Sequence, residues 1–127
     1  MTGTFVLSLD TELAWGTMDK GGFRKYRGHL EKTRRNIESL LALLERYEIP
    51  ATWAFVGHLL LESCRRETAG ADPHSDVLTA QFPWYDRPWH HHDPASDRQS
   101  DPFWYGDDIL DLVQQATPEH EVGCHTF

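Results

Sequence analysis

Two short clusters in this chain bring metal-binding and proton-transfer groups close together. Asp10-Thr11-Glu12 follows an apolar run, and Gly123-Cys124-His125-Thr126 lies far along the chain. Two carboxylates separated by one residue can divide their roles, one on a divalent ion and one on water. A neutral imidazole and a carboxylate are ordinary ligands for Zn²⁺. An acid and a His on one rim also suit an acid/base pair. Asp is equally a common turn or capping residue. The clusters therefore carry chemistry only where the fold makes them meet.

The segments before them must then be neighbouring strands. Thr4-Phe5-Val6-Leu7-Ser8-Leu9 is a β-rich apolar run that ends at Asp10 and reads as a buried strand. Leu13 to Gly28 holds four Gly among alternating charges and reads as a loop. From His29 the pattern is helical. Leu30, Ile37, Leu41 and Leu44 share one face, with Leu40 and Tyr47 beside them. Arg34, Arg35, Glu38, Glu45 and Arg46 fill the other face. Ile49-Pro50 ends the helix, because the residue before Pro is pushed out of the α region. Ala51-Thr52-Trp53-Ala54-Phe55-Val56-Gly57 reads as a second buried strand. Strand, helix and strand make a βαβ unit with parallel strands and a right-handed crossover.

A short helix is expected from Leu59 to about Glu67. A long loop follows from Thr68 to Tyr105, with Pro73, Pro83, Pro88, Pro94 and Pro102, three Trp and His90-His91-His92. Asp107 is expected to cap a helix to about Ala116, with Ile109, Leu110, Leu112 and Val113 apolar. Pro118 breaks it, and His120 to His125 reads as a third strand. The order is that of an α/β fold, in which ligands sit at the C-terminal ends of strands. Three strands do not close a barrel. The chain reads as the front part of a larger α/β domain, with an apolar sheet edge left unpaired.

The 127 residues include 12 Lys+Arg and 20 Asp+Glu, a formal net charge of −8. That acidic balance excludes a duplex-binding role, which needs a basic face against phosphate. Residues 1–66 carry 10 basic and 8 acidic side chains, residues 67–127 carry 2 and 12, and the acidic half reads first as a solvated surface. No apolar run approaches the roughly 20 residues of a membrane helix. No secretory signal is recognisable, and two Cys read as reduced thiols, so a cytoplasmic protein is expected. The remaining chemical candidates have plainer readings. His90, His91 and His92 read as solvated loop residues. Trp84, Tyr85, Trp89, Trp104 and Tyr105 could stack a sugar, but packing under the loop is preferred. Cys124 and His125 point to opposite faces of a strand and do not converge. His58 reads as a surface residue at a helix start. Arg24, Lys25 and Arg27 read as solvated loop charges.

Leu7 to Glu12, Ile49 to Gly57 and His120 to Thr126, in this order and spacing, resemble the first half of a polysaccharide deacetylase domain. This is the NodB homology domain of carbohydrate esterase family four. The resemblance spans nearly all of residues 1–127 except the 68–105 loop. It implies the N-terminal portion of a distorted (β/α) barrel and metal-dependent hydrolysis of an amide C–N bond, in carbohydrate metabolism. Asp10 matches the family's general base. The family usually follows that base directly with a metal-binding acid. Here Thr11 intervenes, as in an Asp-x-Glu branch, and Glu12 is the implied ligand. His125-Thr126 matches the start of a His-Ser/Thr-x-x-His metal motif, whose second His falls past Phe127. The later motifs, including the general-acid His, are also absent. The resemblance thus implies a divalent metal such as Zn, weakly held, and a chain inactive alone. Its substrate would be an N-acetylated carbohydrate or, as for allantoinase-like relatives, another small amide. A non-catalytic remnant that pairs through its sheet edge is the alternative of a different class.

Overall fold

A computed structural model of the chain describes residues 3–18, 23–64, 74 and 92–126. The elements are β1 (Ser8–Thr11), a 3₁₀ turn (Leu13–Thr17), α1 (Phe23–Arg46), β2 (Thr52–Phe55), a 3₁₀ turn (Gly57–Leu60), α2 (Asp107–Gln115) and β3 (Glu121–Cys124). The three strands form one parallel sheet in the order β1-β2-β3. The α/β class and the parallel βαβ unit are as expected from sequence. Among the described residues the sheet is open, and no helix is long and apolar enough to cross a membrane.

β1 starts later than the apolar run. Ser8 pairs with Thr52, so Val6 falls opposite Pro50, which has no N–H for a ladder. The residues before Ser8 lie outside the sheet, and Phe5 and Val6 are exposed. α1 starts earlier than expected. Arg24, Lys25 and Arg27 lie on its exposed first turns and not in a loop. They are good helix formers, and Phe23 anchors the turn by packing its ring 5.5 Å from Phe103. Leu30, Ile37, Leu41 and Leu44 are the buried stripe the periodicity predicts. The helix closes with Glu48 at φ 52 and Ile49 N–H donating to Leu44 O at 2.9 Å, a left-handed stop.

The stretch after β2 is a single 3₁₀ turn, shorter than the expected helix to Glu67. Leu61 N–H bonds back to His58 O, and Ser63 bridges to Asp97, which turns the chain into extended form. α2 takes Gly106 as its cap, and Asp107 is its first helical residue. The Gly106 N–H is held by Leu59 O at 2.8 Å. Asp107 and Asp108 still favour the helix N-terminus electrostatically.

Both helices and the segment before α2 enclose one core. Trp53 and Phe55 from β2 meet Leu30, Ile37, Leu41, Ile109, Val113, Leu59 and Tyr105. A cavity of ≈ 310 Å³ remains between β1 and α1, lined by Leu9, Leu30, Ile37, Leu40 and Trp53 among others. By strand alternation the opposite face carries Ser8, Asp10, Thr52, Ala54, Glu121 and Gly123. None of these six is buried. That face is unusual, because parallel sheets normally bury both sides.

Arg34, which the sequence places on the polar face of α1, clamps the far segment. Its guanidinium donates to both Asp108 oxygens at 2.7 and 3.0 Å, to Pro102 O at 2.6 Å and to Tyr105 O at 2.8 Å. Burial would raise the Asp108 carboxyl, but Arg34 outweighs it and holds the pKa below the usual range. His120 ties the starts of β2 and β3 together. Its Nδ1 accepts from the Ala51 N–H at 3.2 Å, which requires a neutral ring. Burial pushes its pKa down.

Two predictions follow from these contacts. Arg34→Lys keeps the charge but cannot fork onto a carboxylate and two carbonyls, so it should cost on the order of 2 kcal/mol in a urea melt. A loss below roughly 0.5 kcal/mol, the scale of ordinary surface changes, would refute the clamp. Stability should also fall in two steps on acidification. A base with a lowered folded pKa loses stability as pH drops through its unfolded value, about 6.5 for His. An acid with a lowered folded pKa keeps its contribution above about 3.9 and loses it below. Thermal melts against pH should therefore show a His120 step first, abolished by His120→Gln, and then a carboxylate step to which Asp108 and Asp93 both contribute.

Candidate functional site

The sheet register builds the rim. Asp10, Ala54 and Gly123 are aligned across the three strands, and Thr11, Phe55 and Cys124 are the next aligned set. Asp10, Glu12 and His125 share a parity with Ala54 and Gly123, so their side chains meet on the open face. The two outer strands are separated by β2, whose Ala54 stands in the row of Asp10 and whose Val56 follows in the row of Glu12 and His125. His125 Nε2 lies 3.0 Å from Glu12 Oε1 and 3.8 Å from Asp10 Oδ2. The carboxylates and the ring are partly exposed, at 59%, 37% and 36% for Asp10, Glu12 and His125. The structure thus brings together all three residues singled out in the sequence.

His125 is tied down by backbone bonds. Its N–H donates to Phe55 O at 2.7 Å, and Gly57 N–H donates to Thr126 O at 2.8 Å. Glu12 is held from the other side. Leu13 adopts φ 47, a left-handed conformation costly for a branched side chain. This turns the chain sharply after Glu12. Ala14 N–H then bonds to Phe103 O and Trp15 N–H to Glu12 O. Gly16 lies directly under the Glu12 carboxylate, where a Cβ would stand 2.1 Å from Oε2. Cys124 takes no part. Its thiol faces away and bonds to Thr126 O.

A second constellation lies behind the strand ends. His58, on the 3₁₀ turn after β2, is fully buried and is not the surface residue the sequence implied. Its Nε2 is 3.2 Å from Asp93 Oδ2. His74 Nε2 contacts the same oxygen at 2.5 Å and lies 3.3 Å from Cys64 Sγ. Asp93 Oδ1 accepts from Ala95 N–H at 2.9 Å. One ligand atom from each of His58, Cys64, His74 and Asp93 lies within 4.8 Å of the others, and all four residues are buried. This buried group could bind a metal. Burial alone would raise the Asp93 carboxyl, but its hydrogen bonds to His58, His74 and the Ala95 amide hold it well below the carboxylate range.

Aromatic rings wall this cluster. Trp15 packs 4.5 Å from His58, Tyr105 packs 5.6 Å from it, and Trp15 Nε1 donates to Trp104 O. Tyr105 also accepts from Ser96 N–H, while Cys64 N–H bonds to Ser96 O. Trp104 and Tyr105 are therefore packing residues. Trp84, Tyr85, Trp89, His90 and His91 lie outside the described residues, and His92 immediately precedes Asp93. Sequence reasoning missed this cluster because its spacing of five, nine and eighteen intervening residues matches no regular metal motif. The available signal was a Cys with a His on either side in an acidic loop.

The geometry predicts that Gly16→Ala drives Glu12 away from His125 while the fold persists. Proton NMR should then lose the contacts between the Glu12 side chain and the His125 ring, with circular dichroism unchanged. Contacts that survive would show that Gly16 does not position Glu12.

Compared with protein-family models, with curated proteins and with solved structures, the sequence finds no match.

Proposed function

We propose that the rim of Asp10, Glu12 and His125 is the metal-and-base portion of a hydrolase that cleaves non-peptide C–N bonds in N-acylated carbohydrates or small amides. The observation that carries this reading is the meeting of the two carboxylates with His125 across β2, at 3.0 and 3.8 Å from one imidazole nitrogen. The resemblance to the polysaccharide deacetylase domain supports it, and assigns these same positions to the base and the metal ligands. An open rim at the C-terminal ends of parallel strands is where α/β folds bind ligands.

The donor set fits a divalent ion of the zinc type, because one imidazole and one carboxylate are ordinary ligands for it. Glu12 and His125 would hold the ion. Bound there, it would supply Lewis acidity to the amide carbonyl and to water. Asp10 is the most exposed of the three and stands beside the pair without a close hydrogen bond to it. In this reading its carboxylate would take a proton from water. Catalytic zinc uses three protein ligands and one open position. A third ligand and the general acid must then come from outside the described residues. The barrel of the family belongs to the same proposal.

Calorimetric titration with Zn²⁺ should show a site that is lost in His125→Ala and in Glu12→Gln but kept in Asp10→Asn. Where the third ligand and the general acid are supplied, acetate release from N-acetylglucosamine oligomers, or opening of a cyclic ureide, should fall roughly 10²–10⁴-fold in Asp10→Asn, the usual worth of a general base, while residues 1–127 alone should turn over neither substrate. Zinc uptake indifferent to both ligand substitutions would overturn the reading.

A further inference from the structure

We propose that His58, Cys64, His74 and Asp93 form a second metal site, closed and structural, that takes one zinc-type ion with four protein ligands. This does not depend on the hydrolase reading, because the two sites share no residue.

The donor chemistry selects the ion. A thiolate and two imidazoles suit Zn²⁺ and related transition metals, whereas Mg²⁺ and Ca²⁺ prefer oxygen donors. Around zinc at about 2.0–2.3 Å, tetrahedral ligand atoms stand roughly 3.3–3.8 Å apart. The His58–Asp93 and Cys64–His74 separations of 3.2 and 3.3 Å are already close to that spacing. The 2.5 Å contact between His74 and Asp93 must widen by about 1 Å to reach it. The charges also balance. One carboxylate, one thiolate, two neutral imidazoles and a divalent cation sum to zero, the condition under which buried charge is tolerated.

Burial fixes the role. His58, Cys64, His74 and Asp93 are 0%, 8%, 3% and 8% exposed, and Trp15 and Tyr105 pack against His58. Four protein ligands with no open position mark a structural site. The ion would join the turn after β2 to Cys64, His74 and Asp93. It would thereby reinforce the Ser63–Asp97 bridge and the bond from Cys64 N–H to Ser96 O.

The test is cobalt titration of the chelator-treated full chain carrying Cys124→Ser, so that Cys64 is the one thiol. The expected result is a thiolate-to-cobalt charge-transfer band with intense tetrahedral ligand-field bands, both removed by added zinc. The signature should persist when His125→Ala or Glu12→Gln is added, because the rim holds no sulfur. It should be lost with Cys64→Ser and weakened with His74→Ala. If Cys64→Ser fails to fold, the band in the Cys124→Ser protein still identifies Cys64 as the ligand. A folded Cys124→Ser protein that takes up cobalt without a charge-transfer band, or takes up none, would overturn the proposal.

Discussion

The central position and register of β2 is the constraint on which the rest depends. Its backbone bonds to β1 on one side and β3 on the other, and the three strands end level. The ends of β1 and β3, more than a hundred residues apart in the chain, thereby become facing positions on one rim. A one-residue slip would turn His125 to the helical side and destroy the contact with Glu12. The bonds from His125 N–H to Phe55 O and from Gly57 N–H to Thr126 O extend this register just past the strands, where the polar side chains begin.

Strand pairing alone leaves the segment before α2 unplaced. Arg34 places it. One guanidinium binds the Asp108 carboxylate and two backbone carbonyls, and so fastens residues 102–108 against the middle of α1. Phe103 O and Trp104 O then become acceptors for Ala14 N–H and the Trp15 indole. The turn that carries Glu12 is held by the same segment. The buried His58–Asp93 cluster is fastened to this turn through the Trp15 ring. Rim and cluster are thus two parts of one mechanical unit, one open to solvent and one closed.

That division has a physical meaning for function. Reacting groups must be reachable, and the rim carboxylates and imidazole are partly exposed. Groups that only hold a structure together gain from exclusion of water, which strengthens each electrostatic contact. Proton transfer suits the rim. Structural cross-linking suits the cluster, where a carboxylate, two imidazoles and a thiol are removed from solvent.

Much was legible in the sequence because it is local. The apolar stripe of α1, the stop at Ile49-Pro50 and the cores of β2 and β3 follow from periodicity and from the geometry of Pro, whereas β1 starts later than its apolar run. Asp10, Glu12 and His125 were legible because strand ends of a parallel sheet share a rim. The sequence could not reveal that Arg34 is a clamp, since its partners lie about seventy residues away. Nor could it reveal that His58 is buried. Its environment is set by Trp15, His74, Asp93 and Tyr105, which come from three other parts of the chain. Periodicity records which face of an element is apolar. Only tertiary structure decides which distant polar groups are desolvated together, because that depends on chain segments the local pattern does not specify.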